Sequence, residues 1–198
     1  TIICMKKNYG RVSVFFILLA LNLSHGDAQV KPSAKTNVSS MVKQMTLEEK
    51  VGQMAQVSIE SLGGIQNGNF SFNQDKFKDA VVNYKVGSLL NTPGLLNAGQ
   101  WNGVIEEIAK AAKETRMKIP VLYGLDDNHG VNYVAGATLF PQEIGQAATW
   151  NPQLVYNAAV ITAYESRAAG VPWTFSPVLD LGTNPQWPRL WEAFGYDP

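Results

Sequence analysis

Carboxylate, amide, guanidinium and indole groups gather in two short stretches of this chain. The first reads Gly124-Leu125-Asp126-Asp127-Asn128-His129-Gly130. The second starts at Asp180 and continues through Asn184-Pro185-Gln186-Trp187-Pro188-Arg189 to Trp191-Glu192. Each follows an apolar run, where a buried strand would end. Carboxylates and guanidinium groups hydrogen-bond vicinal hydroxyls, and an indole stacks on the apolar face of a pyranose ring. The combination suits a sugar. Asp126-x-x-His129 has the spacing of a metal pair, but two ligands without a third do not define a metal site.

The elements that must position these groups alternate between apolar strands and amphipathic helices. Residues 86–90, 119–125 and 171–179 read as strands, and residues 51–59 either continue a helix or form a first strand. Residues 38–49 are helix-like, and Thr46 with Glu49 has the form of a capping box. Over residues 75–84, Phe77, Ala80, Val81 and Tyr84 fall on one helical face. Residues 100–116 form the clearest helix, with Trp101, Val104, Ile105, Ile108 and Ala112 as its apolar stripe. Pro141 opens a short helix. Asn151-Pro152 starts another, which Gly170 ends. Residues 62–72 read as a loop rich in Gly and Asn.

This alternation predicts an α/β fold with a parallel sheet covered by helices. A doubly wound sheet and a (β/α)₈ barrel both fit. No Gly-rich phosphate loop follows any strand, which speaks against a nucleotide-binding doubly wound fold. About four strands are present, whereas a barrel has eight in about 250 residues. The expectation is therefore the N-terminal half of a (β/α)₈ TIM-type barrel, truncated. Such a half has two open sheet edges and should be unstable or aggregation-prone alone. In a barrel, the C-terminal strand ends carry the site, which is where both polar clusters fall.

The first residues add a destination. Lys6, Lys7 and Arg11 precede an apolar run over residues 12–23, and Gly26-Asp27-Ala28 follows. This is the layout of a secretory signal peptide. The run of about 12 residues is too short for a membrane span, which needs about 20. The expected organisation is upstream residues and a signal peptide over 1–28, a linker over 29–37, and a barrel portion over 38–198. Cys4 is the only cysteine and falls before the cleavage point, so the mature chain has no disulfide or thiol chemistry. His25 belongs to the leader. The formal net charge is +0, which gives no basic surface for nucleic acid.

Six ordered blocks resemble glycoside hydrolase family 3. They are residues 45–54, the cluster at 124–130, Gly136-Ala137-Thr138-Leu139-Phe140-Pro141-Gln142, Ala147-Ala148-Thr149-Trp150-Asn151-Pro152, and residues 173–180 and 185–198. The resemblance implies an exported, retaining, exo-acting β-glucosidase whose barrel is followed by an α/β sandwich domain. Its substrate would be a β-linked glucoside or oligosaccharide, with no metal or organic cofactor. It also implies that the nucleophile and the general acid/base lie outside residues 1–198, so no catalytic residue is assigned here. Asp126 matches the family Asp that accepts hydrogen bonds from the terminal sugar, and Arg189 matches the Arg that donates to it. Turn capping and a surface ion pair are the bland readings of these two residues.

His129 is read as a structural turn residue, and Asp180 and Glu192 as supports for the loop that carries Arg189. Trp101 is read as core. Trp187 and Trp191 stay open between core and sugar platform. Asp127, where a small or apolar residue is commoner, either reaches a further subsite or faces solvent. Pro188 stands where the family has Gly, which fixes φ and removes a donor. A β-xylosidase or β-N-acetylglucosaminidase of the same family, and a non-catalytic carbohydrate-binding barrel, are the alternatives.

Overall fold

Side-chain caps decide where the helices begin. The computed structural model describes residues 38–196; the expected leader and linker, with Cys4 and His25, lie outside the described residues. α1 (Val38–Gln44) leads to α2 (Leu47–Met54). The expected capping box is present: Glu49 N donates to Thr46 Oγ1 at 3.2 Å, and Thr46 N donates to Glu49 Oε2 at 2.9 Å. Arg116 Nη2 donates to the same Glu49 oxygen at 2.5 Å, tying the start of α2 to a turn 67 residues later. That bond holds the Glu49 carboxyl below its ordinary range.

β1 (Gln56–Ser58) follows directly, so residues 51–59 supply both a helix end and a strand. The loop expected over residues 62–72 is instead an antiparallel hairpin, β2 (Gly63–Gln66) and β3 (Asn69–Phe72). Its turn residues Asn67 and Gly68 have φ of 51° and 76°. Positive φ at both central residues is what a two-residue hairpin turn demands, and Asn-Gly is its usual occupant.

α3 (Gln74–Lys78) widens into a π-helical turn over Asp79–Asn83, closed by Tyr84 N donating to Asp79 O at 2.7 Å. Phe77, Ala80 and Val81 are buried as their spacing predicts, but Tyr84 is 71% exposed. A π turn holds more residues than an α turn, so the fourth member of the stripe rotates out of the core.

β4 (Ser88–Leu90) and β5 (Leu96–Asn97) precede α4 (Ala98–Ala112). α4 starts earlier than expected because Asn97 and Gln100 make a second capping box. The remaining elements are β6 (Leu122–Leu125), β7 (Val134–Ala135), α5 (Glu143–Ala147), α6 (Pro152–Ala168) and β8 (Trp173–Thr174).

The main sheet runs β1-β4-β6-β8, and every pairing in it is parallel. Strands that follow one another in sequence lie side by side, which is the progression of a barrel wall. Leu89, Tyr123 and Leu125 of this sheet are buried with Trp101, Val104 and Ile108 of α4. Trp101 meets Tyr123 edge-on at 5.4 Å, and its indole N–H donates to the Tyr133 carbonyl at 3.0 Å. The polar handle of a buried aromatic is thereby satisfied while its rings fill the core.

Candidate functional site at the carboxyl ends of the strands

The register brings four strand ends to one edge. Ser58 pairs with Leu90, Leu90 with Gly124, and Gly124 with Trp173. Beyond that edge the chain becomes polar. Asn91 Nδ2 donates to Ser58 Oγ at 3.1 Å, and Asp126 leaves β6 two residues past the Gly124 pairing. A Cβ on Gly124 would come within 2.4 Å of the Phe175 ring, so a larger residue there would displace that ring.

The loop after β6 is clamped at both ends. Phe140 N donates to His129 O at 2.8 Å, and His129 Nδ1 lies 2.9 Å from Phe140 O. A carbonyl only accepts, so this bond requires the proton on Nδ1. His129 thus staples the loop to the segment before α5, the structural role expected of it. Gly130 completes the turn at φ 97°, where a Cβ would sit 2.0 Å from Thr138 O.

Asp126 and Asp127 part company inside this loop. Asp126 is half-buried, and its carboxylate makes no hydrogen bond to a described residue. Its carbonyl is held by Ser176 Oγ and, at 3.4 Å, by Thr174 Oγ1. Asp127 does not face solvent, contrary to one of the two readings of it. Its φ of 45° turns it inward, it is 1% exposed, and both its oxygens lack partners. Burial pushes its carboxyl up to about 6, and the nearby Asp126 charge adds to the rise. The Ser166 hydroxyl beside it acts in the opposite direction.

A short relay joins Asp126 to Arg189. Ser176 Oγ, with one proton to give, is within reach of both the Asp126 carbonyl and Asn128 Oδ1, the latter at 2.8 Å. Asn128 Nδ2 donates to Glu192 Oε2 at 2.8 Å. The other Glu192 oxygen accepts from Arg189 Nε in an ion pair across one 3₁₀ turn. Glu192 is buried while the Arg189 side chain is 53% exposed, so the acid anchors and the base projects. This bond raises the guanidinium above its ordinary value, and the charges of Asp180 and Asp126 act in the same direction. The Nη groups of Arg189 make no hydrogen bond to a described residue.

The two residues singled out from sequence therefore share one edge and one network. Asn128 and Ser176, which carry the relay, were not singled out. Asn128 lay within the polar cluster, but its side-chain partner is 64 residues away and no local pattern reveals it. Trp101 is fully buried, whereas Trp187 and Trp191 are 43% and 50% exposed among the described residues. Among the described residues no group of three or more His, Cys, Asp or Glu is arranged to hold a metal, and no helix is long and apolar enough to cross a membrane.

Residues 46–198 match the glycosyl hydrolase family 3 N-terminal domain. The chain belongs to glycoside hydrolase family 3. It is 39% identical over 173 residues to a lysosomal beta glucosidase of Dictyostelium discoideum, covering 82% of this chain and 21% of that protein. It is 28% identical over 172 residues to a periplasmic beta-glucosidase/beta-xylosidase of Dickeya chrysanthemi, covering 83% and 26%. The fold is similar to that of an exo-1,3/1,4-beta-glucanase from a Pseudoalteromonas species, with a TM-score of 0.65 at 28% identity, over 79% of this chain and 19% of that one. The chain thus spans about a fifth to a quarter of the length of these relatives. Its four parallel strands are the first part of the family's (β/α)₈-type barrel.

Proposed function

We propose that the complete protein carrying this chain is an exported, retaining exo-β-glucosidase that removes terminal, non-reducing β-D-glucosyl residues. The chain contributes part of the pocket for the terminal sugar, through Asp126 and Arg189. One observation carries this reading. An unbonded carboxylate and a guanidinium with unbonded Nη groups stand at the same strand-end edge, the Asp126 backbone carbonyl being linked to Arg189 through Ser176, Asn128 and Glu192. A carboxylate that only accepts and a guanidinium that only donates are complementary to a row of sugar hydroxyls. Family membership and the glucosidase names of the relatives support the same substrate class.

Retention needs two carboxyl groups about 5–5.5 Å apart, one as nucleophile and one as acid/base. In this proposal both come from parts of the protein outside this chain. Asp126 and Arg189 act by orienting the sugar ring, and their bonds strengthen as the ring distorts toward an oxocarbenium-like transition state. Export rests on the charged, apolar and small-residue layout of the first 28 residues. A periplasmic relative is in keeping with it.

Steady-state kinetics of the complete protein on an aryl β-glucoside test the reading. Hydrogen bonds to charged groups contribute about 1.5–3 kcal/mol, so Asp126→Ala and Arg189→Ala should each lower kcat/KM roughly tenfold to a few hundredfold. Melting temperatures should stay near that of the parent. Normal kcat/KM in Asp126→Ala would return that residue to turn capping. An aryl β-xyloside run in parallel separates the glucosidase from the xylosidase reading, which the dual name of the Dickeya relative makes worth measuring.

A further inference from the structure

We propose that Asn67 is a site of spontaneous deamidation, and that its conversion releases the start of α4 from the β2–β3 hairpin. The chain holds two Asn-Gly pairs, Asn67-Gly68 and Asn102-Gly103. In such a pair the reaction is least hindered, because the backbone nitrogen that attacks belongs to a residue with no side chain. The fold treats the two pairs differently. Asn67 and Gly68 are the exposed turn of the hairpin, and neither the Asn67 side chain nor the Gly68 N–H makes a hydrogen bond to a described residue. Apart from its chain neighbours, no heavy atom lies within 4 Å of the point where a Gly68 Cβ would stand. The hairpin is a two-stranded sheet separate from the main one, and such a ribbon opens at its tip at little cost. Asn102 sits inside α4, where its Nδ2 donates to Ala98 O at 2.8 Å and to Ala168 O at 2.7 Å. Gly103 lies within the same helix, so its N–H is spent on the helical ladder. The second pair can react only after α4 unfolds.

The reaction needs water and nothing else. The Gly68 nitrogen bonds to Asn67 Cγ, its proton leaves with the side-chain nitrogen as ammonia, and a cyclic imide closes. Water then breaks either of the two C–N bonds of the imide. Breaking the bond to Cγ leaves an aspartate in a normal main chain. Breaking the bond to the main-chain carbonyl carbon leaves an isoaspartate, whose main chain runs through the side-chain carbon and is longer by a methylene. A two-residue turn with φ of 51° and 76° has no place for that extra atom. The same tip is where the hairpin meets α4. Gln100 Nε2 donates to Gly68 O at 3.0 Å and to Asn69 Oδ1 at 2.8 Å. Gln100 Oε1 accepts from Asn97 N at 2.9 Å in the capping box of α4. A displaced tip takes both acceptors from Gln100 and frees the side chain that closes the box.

The test ages the complete protein in mildly alkaline buffer below its melting temperature and maps its peptides by mass spectrometry, with enzymatic methylation to mark isoaspartate. The Asn67 peptide should gain the mass difference between an amide and an acid on the order of tenfold or more faster than the Asn102 peptide, with isoaspartate among its products. In denaturant the two should convert at similar rates, since the fold no longer separates them. Hydrogen exchange reads the consequence. The Gln100 N–H, which donates to Asn97 Oδ1 at 3.0 Å, should exchange faster in the aged protein than in the fresh one. Freshly prepared Asn67→Asp carries the same new charge on a normal main chain and keeps a pair suited to the turn, so it should exchange like the fresh parent. Conversion at Asn67 no faster than at Asn102 in the folded protein would overturn the site. Conversion that leaves exchange at Gln100 unchanged would overturn the release of α4.

Discussion

Two helices of similar length bury opposite amounts of themselves. α4 covers the middle of the sheet and buries Trp101, Val104, Ile108, Ala111 and Ala112. α6 lies toward the β8 end and buries only Ala158, Thr162 and Ser166, a stripe of small and hydroxyl-bearing side chains. Its Leu154, Tyr156, Val160 and Tyr164 are half or more exposed. Composition does not separate the two, since both carry enough apolar residues for a core-facing stripe. Position does. α4 has sheet and neighbouring helices on several sides, whereas α6 stands beside a two-residue edge strand. In a barrel each helix packs between its neighbours around a closed sheet, so the face that α6 shows is one that further barrel structure would cover.

The largest consequence concerns the chain by itself. Residues 38–198 produced alone should self-associate and bind a hydrophobic dye strongly, while the complete protein does neither. The open edges at β1 and β8 and the outer face of α6 are the reason. Size-exclusion chromatography with dye fluorescence checks this, and a clean, dye-silent monomer would mean that the α6 face is not a packing surface.

A substitution in each helix sharpens the contrast in the complete protein. Trp101→Ala should cost about 3–5 kcal/mol, since it empties the core contact with Tyr123 and orphans the Tyr133 carbonyl. Tyr164→Ala, at a residue 76% exposed among the described residues, should cost more than the roughly 0.5 kcal/mol of a surface change, because further barrel structure covers the α6 face. Denaturant unfolding reads both. A loss within about 0.5 kcal/mol at Tyr164 would show that the α6 face stays open in the complete protein.

Asp127 is the next lever, because it sits under the small-residue face of α6. Its carboxyl rises on folding from 3.8 to about 6. The folded state therefore holds a proton that the unfolded state has released between about pH 4 and pH 6. Stability falls as pH rises through that window, and the penalty is complete above about 6. Asp127→Asn removes it. The variant should gain up to about 3 kcal/mol at pH 7.5 and little at pH 4. Melting curves at the two values decide the matter, and equal gains at both would mean that Asp127 does not titrate as a buried acid.

The smallest expected effect compares the helix starts. α4 has a reciprocal capping box, with Gln100 N donating to Asn97 Oδ1 at 3.0 Å and Asn97 N to Gln100 Oε1 at 2.9 Å. α6 has one such bond, Gln153 N to Asn151 Oδ1 at 3.1 Å, with Pro152 at its first position. Asn97→Ala should cost about 1 kcal/mol and Asn151→Ala somewhat less. Thermal melts in one buffer compare them, and a larger loss at Asn151 would reverse the ranking.

Local chemistry was readable without the fold. Thr46 and Glu49, Asn151 and Pro152, and Gly170 mark their helix ends through contacts within a few residues, so their spacing carries the information. The apolar runs that became β4 and β6 were legible because a strand buried on both faces needs nothing more from its sequence than apolar character. Asn67-Gly68 was equally local, and its hairpin was legible to a reader who weighed that pair above the Gly and Asn content around it. The π turn that exposed Tyr84 was not, because its extra residue is accommodated by packing rather than by a residue preference. Asp126 and Arg189 could be named from their blocks, but nothing near either one in sequence says that they meet. Asn128 to Glu192 and Glu143 to Val178 join residues 64 and 35 positions apart. Only the parallel register of β6 and β8 and the packing of α5 bring those partners within bonding distance. The direction of Asp127 was decided in the same way. Neighbouring carboxylates in one loop have the same chemistry on paper, and a single backbone φ of 45° sends one to the open edge and the other beneath a helix.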